Sequence, residues 1–171
     1  MKLKTNQYTK TLNANTENVL LSIIMYREGI YQANFGDRTT ADNICSQSSE
    51  KPEGYSTYKA FIAYTNDSPL MWLPHDRPIK SKTDNLIAND YNDLFDGTIN
   101  MTLSNAGIYV SSYFTGMNSD GTSNSNNCND FSTTNGAISV MIGTGNSTQS
   151  DWIEKELNGC GSSMRLTCVA Y

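Results

Sequence analysis

The sequence predicts a single α+β domain built of short strands, few helices and long loops. Three observations lead to this fold class. The apolar runs are short and rich in β-branched and aromatic residues, as strands are. Pro, Gly, Asn, Asp and Ser separate these runs, which indicates turns and loops and not a helical layer. The chain has 171 residues with no repeat and no linker that would divide it into two domains, so it is long enough for one domain with its own core.

The first strand is predicted to follow a polar N-terminal arm. Residues 1–18 lack periodicity, and we interpret them as an arm or linker before a domain at 19–171. Val19–Met25 is apolar and β-branched but much shorter than the ~20 residues of a membrane span, so it predicts a buried strand over 19–26. A signal peptide carries its apolar segment nearer its start. We therefore expect either a leader removed ahead of Met1 or another route of export.

The next elements are a short helix and a central strand. Thr40 is a suitable N-cap, which predicts a helix over 41–48. The run at 58–64 is apolar and aromatic, and it predicts a strand at the centre of the sheet. Prolines and Asp-rich segments in 65–107 predict loops with brief strands.

The second half of the chain is predicted to alternate strands with the longest loop. Residues 118–135 contain six Asn and four Ser and have no core-forming pattern, so we predict a loop there. A helical turn is expected from 151 to 157, ended by Asn158 and Gly159. The predicted strands in this half lie within 107–117, 137–142 and 164–169.

The chain has four cysteines, Cys45, Cys128, Cys160 and Cys168. None falls in a C-x-x-C pair, so the spacing does not favour a zinc-knuckle or a thioredoxin-like motif. Because the surrounding sequence is typical of extracellular proteins, we expect disulfides. Four cysteines allow three pairings, and the spacing alone leaves all three open.

Composition limits the class of partner. Charged residues make up 17% of the chain, the formal net charge is −5, and the sequence pI is about 4.7. An acidic chain without a basic run does not favour nucleic acid, heparin or an anionic membrane as a generic partner. Asn, Ser, Thr, Gly and Tyr carry much of the surface polarity, as in many secreted β-rich proteins. We therefore expect an extracellular or cell-surface location.

Neither catalysis nor a bound metal is expected. His75 is the single histidine, and a hydrolase would need it oriented by a carboxylate beside an activated nucleophile. Asp76 is its sequence neighbour, which usually points the carboxylate away, and there is no G-x-S-x-G elbow. Asp120 and Asp130 lie in the Asn-rich loop and offer calcium ligands, but EF-hand spacing is not met. The expectation is a non-enzymatic protein with no cofactor.

The order of several motifs resembles a known family. The chain resembles the leptospiral endostatin-like surface proteins, which are similar to collagen-derived endostatin and to the C-type lectin-like fold. The resemblance covers roughly residues 20–171 and includes the terminal pattern Arg-Leu-x-Cys-Val. Phe114 and Phe131 stand where the family often has Trp. The motifs, in order, are an apolar strand, Thr40–Cys45, Tyr58–Ile62, Thr115–Met117 after an aromatic residue, Cys128–Phe131, Cys160 and Arg165–Val169.

The resemblance implies both a fold and a function. It implies a twisted antiparallel sheet with two short helices, long loops and nested disulfides, Cys45–Cys168 outside and Cys128–Cys160 inside. It also implies a cell-surface adhesion protein that binds host extracellular-matrix or plasma proteins. The histidine-rich zinc site and the arginine-rich heparin face of endostatin have no counterpart in this chain, so neither activity carries over.

Tyr, Ser, Asn and Gly are typical of adaptable recognition surfaces. Such a surface is expected from Tyr109, Tyr113 and Trp152 together with the Asn-rich loop, although strand and helix residues of these types are as often half-buried. The candidate ligand-binding residues are Tyr113, Asp120, Asn124, Asn126, Asn127 and Trp152. The predicted function is a non-enzymatic, adhesin-like domain that binds a protein. The alternative is a glycan- or receptor-binding tip of a homotrimeric fibre whose stalk precedes residue 19.

Overall fold

A computed structural model describes residues 22–171 of the chain. The predicted arm at 1–18 and the first residues of the first predicted strand lie outside this range. The described residues form an α+β fold with one mixed sheet, three short helices and two disulfides. The predicted fold class is confirmed at this level.

Eight strands form the sheet, in the order β4-β3-β1-β8-β5-β6-β7, and β2 pairs with β8 off this path. The C-terminal strand β8 is therefore central, with β1, β2 and β5 as its neighbours. The strands are β1 Ile23–Tyr31, β2 Tyr58–Ala60, β3 Ile79–Ser81, β4 Leu86–Ala88, β5 Tyr113–Phe114, β6 Ser139–Gly143, β7 Glu156–Gly159 and β8 Met164–Ala170.

The family resemblance implied an antiparallel sheet, but the observed sheet is mixed. Strand β3 runs parallel to β1, and β5 runs parallel to β8. Both parallel pairs join strands that are far apart in sequence, which leaves room for the long crossover that a parallel pair needs.

Three short helices pack around the sheet: α1 Arg38–Ser46, α2 Tyr91–Leu94 and α3 Cys128–Phe131. The predicted helix at 41–48 corresponds to α1 but begins earlier, because its N-cap is Asp37 and not Thr40. The Asp37 carboxylate accepts hydrogen bonds from the backbone N–H of Thr40 at 2.8 Å and from its hydroxyl at 2.9 Å. These two bonds lower the pKa of the Asp37 carboxyl.

The predicted helical turn at 151–157 is only partly correct. A short 3₁₀ helix spans Ser150–Trp152, but the residues from Glu156 onward form β7 and pair with β6. Strand β7 lies at the edge of the sheet, and its first residues, Glu156 and Leu157, are exposed. An edge strand without a buried face lacks the apolar alternation from which strands are predicted.

Buried side chains form two clusters that share the strands. Met25, Phe61 and Trp152 belong to one cluster, whereas Tyr26 and Phe114 belong to the other. Successive residues of β1 thus enter different clusters, because side chains of a strand alternate between the faces of the sheet. The two clusters are the cores on the two sides of the sheet.

The nested disulfide pairing implied by the family resemblance is confirmed. Cys45–Cys168 connects α1 to β8, and Cys128–Cys160 connects α3 to the segment between β7 and β8. All four cysteines are fully buried. Within residues 22–171, no helix is long and apolar enough to cross a membrane.

Candidate functional site

The Asn-rich loop is held by its own hydrogen bonds. Asn124 donates to the Asn118 side chain at 2.6 Å and accepts from the Asn126 backbone at 2.8 Å. Two further bonds reach distant segments: Ser119 N–H donates to the Glu154 carboxylate, and the Ser123 hydroxyl donates to the Tyr64 carbonyl. The amides that suggested an adaptable surface are therefore largely occupied in fixing the loop.

Two predicted binding residues lie in the core. Tyr113 and Trp152 are 0% exposed, and the Tyr113 hydroxyl donates to the Trp152 carbonyl. Burial raises the pKa of the Tyr113 hydroxyl well above its usual value. Neither residue can meet a partner in this fold, so their assignment to a binding surface is corrected. The reason is their position: Tyr113 is in β5 and pairs with the central strand β8.

The assignment of Asn127 to the binding surface is also corrected. It is 3% exposed and caps α3, where its side chain accepts from Asp130 N–H at 3.0 Å. Asn124 and Asn126 are partly exposed, whereas Asp120 is exposed. The Asp120 carboxylate accepts from the Thr122 hydroxyl and backbone N–H, which lowers its pKa. The structure thus groups Asp120, Asn124 and Asn126 in one loop and separates them from Tyr113 and Trp152.

A cleft of about 520 Å³ lies between the start of α1 and the α3 turn. Asp37, Asp67 and Asp130 contribute carboxylates to it, and Arg38 contributes a cation that is already paired with Asp67. No group of three His, Cys, Asp or Glu residues that could hold a metal ion is found over 22–171. The cleft is therefore an acidic concavity without a metal-binding set.

Among the large hydrophobic residues of 22–171, the most exposed aromatic side chain lies elsewhere. Tyr109 is 67% exposed and Ile30 is 62% exposed, and both line one cleft together with Arg165. The Arg27 guanidinium lies 5.9 Å from the centre of the Tyr109 ring. We call these four residues, Arg27, Ile30, Tyr109 and Arg165, the Tyr109 surface.

Strand pairing positions this surface. Strand β1 has a register shift against β8 between Arg27 and Ile30, which brings Ile30 opposite Arg165. A bulge of this kind re-aims side chains and is frequent beside functional sites. The Arg165 guanidinium also donates to the Glu28 carbonyl at 3.2 Å, which holds it against the bulge.

Tyr109 stands between two clefts. A cleft of about 260 Å³ on one side is lined by Arg27, Glu50 and Lys82 among others. A cleft of about 410 Å³ on the other side has a polar rim of Ser104, Ser111, Ser112, Asn146 and Ser163. An exposed aromatic ring between two concavities, with arginines and small polar side chains around it, is the usual composition of a protein-recognition surface.

The sequence indicates Tyr109 as a possible recognition aromatic but not as one of the candidate ligand-binding residues, and it does not indicate Arg27, Ile30 or Arg165. A signal for Tyr109 was present. Ile108 is 3% exposed and Val110 is 1% exposed, so the alternation of this short apolar run points Tyr109 outward. Ile30 and Arg165 carried no comparable signal, because the bulge and the strand pairing that bring them together are not local.

The chemistry of the other candidate groups is limited. His75 is at the surface and stacks on Tyr91, with 3.9 Å between ring centres. All four cysteines are in disulfides, which leaves no thiol as a nucleophile. No protein-family model matches the chain, and no curated protein matches it by sequence.

Proposed function

We propose that this chain is a non-enzymatic extracellular domain that binds a host or surface protein, such as an extracellular-matrix or plasma protein, through the Tyr109 surface. One observation carries the proposal. Tyr109 is 67% exposed beside Ile30 at 62%, and both lie next to two arginines. Aromatic residues and arginine are the types that contribute most to protein interfaces, and a pair of large exposed side chains in one place is a strong candidate anchor.

The rigidity of the surface supports the same conclusion. Ile30 and Arg165 lie on paired strands, β1 and β8, and Tyr109 lies between two buried neighbours. A partner that binds here orders few additional side chains, so less conformational entropy is lost on binding. The Asn-rich loop has a smaller role in this proposal, because its amides are bonded to one another.

We further propose that the fold belongs to the endostatin-like, C-type lectin-like class. The α+β architecture with its central C-terminal strand and the nested disulfides supports this assignment. The disulfides also support an extracellular or cell-surface location, since they persist in oxidising compartments.

The test is a binding assay on immobilised matrix and plasma proteins, with a glycan array beside it. We compare the wild type with Tyr109→Ala, and with Met71→Ala as the matched control, because Met71 is 70% exposed at another place. We expect capture by at least one of these proteins, about tenfold weaker or more for Tyr109→Ala and unchanged for the control.

Two results would contradict the proposal. Binding of glycans without binding of any protein would favour the fibre-tip alternative, and a trimer in solution would strengthen that alternative. Protein binding that Tyr109→Ala leaves unchanged would place the surface elsewhere. Near-identical circular dichroism of the variants is required before either result is interpreted.

A further inference from the structure

We infer that the Tyr109 surface binds an extended, acidic segment of a protein, with carboxylates that pair with Arg27 and Arg165. This inference rests on the proposed function and adds the chemical class of the partner. It is argued from the charge, the spacing and the apolar character of the surface.

Arg27 and Arg165 have no carboxylate partner among the described residues. Their contacts are the Tyr109 ring and the Glu28 carbonyl. Most other cations of the described chain are paired with carboxylates: Arg38 with Asp67, Lys59 with Asp42, Lys80 with Asp84, Lys82 with Glu50 and Lys155 with Glu156. In a protein of net charge −5, two arginines without such partners at one place form a local site for anionic groups.

The spacing of the two arginines fits an extended chain. Arg27 is opposite Thr167 in β8, and Ile30 is opposite Arg165, two residues further along β8. Two residues of a strand span about 7 Å, so the Cα atoms of the two arginines are separated by roughly that distance along the strand direction. Carboxylates at positions i and i+2 of an extended peptide are also about 7 Å apart, and they lie on the same face of the peptide. Such a peptide can contact both guanidinium groups without bending.

The apolar side chains select a protein over a polysaccharide. Tyr109 and Ile30 expose about two-thirds of their surface each, at 67% and 62%. Their burial needs apolar side chains beside the carboxylates, which an acidic peptide carries and a sulfated glycan does not. The two clefts beside Tyr109 give such side chains a place to enter.

The experiment uses a library of random linear peptides displayed on phage, selected on the wild-type protein. We expect the enriched peptides to carry two carboxylates two residues apart together with an aromatic or aliphatic residue. The best peptide is then synthesised and titrated against Arg27→Gln/Arg165→Gln. We expect this double variant to bind about tenfold more weakly or worse. The control Lys80→Gln/Lys155→Gln removes the same net charge elsewhere and should bind as the wild type does.

Three outcomes would overturn the inference. They are the absence of any enriched peptide, the enrichment of peptides without acidic residues, and an unchanged affinity of the best peptide for the arginine double variant. Heparin is tested in parallel, and heparin binding that depends on Arg27 and Arg165 while no peptide is selected would assign the site to a sulfated glycan instead. If Tyr109→Ala abolishes capture by matrix or plasma proteins while the arginine double variant does not affect it, the proposed function stands and this inference falls.

Discussion

The Arg38 side chain connects several separate parts of the structure. Its guanidinium donates to the Asp67 carboxylate at 2.9 Å and to the carbonyls of Ala60 and Ile62 at 2.8 and 2.7 Å. The same group lies 4.6 Å from the centre of the Tyr64 ring. A planar group with several donors is needed to satisfy these acceptors at once, and lysine cannot provide it. Arg38 thus fixes α1 to the chain that continues from β2.

We expect Arg38→Lys to lower the free energy of unfolding by about 2–4 kcal/mol, because buried carbonyls lose their donors. Urea denaturation followed by circular dichroism measures this change. Arg27→Lys is the matched control, since Arg27 has no carboxylate partner in the described structure, and it should change stability by about 0.5 kcal/mol or less. Equal effects of the two substitutions would show that Arg38 is not a structural connection of this kind.

Single residues also show what the sequence could predict and what it could not. Tyr109 follows from local alternation, because Ile108 and Val110 are buried on either side. Burial of Tyr113 does not follow, because it depends on pairing with Arg165, which is distant in sequence. The role of Arg38 does not follow from the sequence for the same reason, because its partners at Ala60, Ile62 and Asp67 are brought to it only by the folded chain.

At the scale of elements, α3 is the most unusual segment. Its four residues, Cys128 to Phe131, all have positive φ between 52° and 58°. Left-handed backbone costs roughly 1–2 kcal/mol per residue when it is not glycine. Three contacts hold it there: the disulfide to Cys160, the packing of Phe131 on Phe35, Tyr64 and Phe114, and the bond from Thr65 N–H to the Asp130 carboxylate. Helix propensity cannot predict such a turn, because tertiary contacts impose it.

The packing of the Asn-rich loop against Phe95 can be tested by substituting Gly121. Its φ is +80°, and an added Cβ would lie 2.7 Å from the Phe95 ring. Gly54 has a similar φ of +86° with nothing within 4 Å, so it shares the backbone penalty without the clash. We expect Gly54→Ala to cost about 1 kcal/mol and Gly121→Ala about 1–3 kcal/mol more, measured by thermal or urea unfolding. If both variants are equally stable, the loop is not packed against Phe95 as described.

The sequence predicted 118–135 as an irregular loop with a free recognition surface, but α3 at Cys128–Phe131 interrupts this loop and its remaining residues are held by hydrogen bonds. The difference arises from bonds that local reasoning cannot find. Ser119 reaches Glu154 and Ser123 reaches the Tyr64 carbonyl, which lie far away in the chain. The asparagine side chains bond with nearby backbone and side chains, and together these bonds fix the loop.

At the scale of the whole molecule, the two disulfides close loops of very different length. Cys45–Cys168 spans 123 residues and Cys128–Cys160 spans 32. We expect Cys45→Ala/Cys168→Ala to lose about 1 kcal/mol more stability than Cys128→Ala/Cys160→Ala, because the longer closure restricts the unfolded chain more. Equilibrium unfolding of both double variants measures the difference. A larger loss for the inner pair would indicate that support of α3 outweighs loop closure.

The overall architecture could be predicted where it depends on sequence signals within one element or on the family resemblance. The positions of β6 and β8 follow from their apolar runs, α1 was predicted with its start displaced to Thr40, and the nested pairing followed from the family resemblance. The two parallel strand pairs did not follow, because no local pattern distinguishes a parallel from an antiparallel neighbour. The Tyr109 surface combines residues from β1, β8 and the segment before β5, so it exists only after the sheet has formed.

The central place of β8 governs when this protein can fold. Residues 164–170 supply the partner for β1, β2 and β5, and Cys168 supplies half of the outer disulfide. A ribosome has therefore made almost the entire domain before β8 is available to pair with β1, β2 and β5. The pairs β3–β4 and β6–β7 do not involve β8, but the centre of the sheet and the outer disulfide can be completed only after β8 has been made.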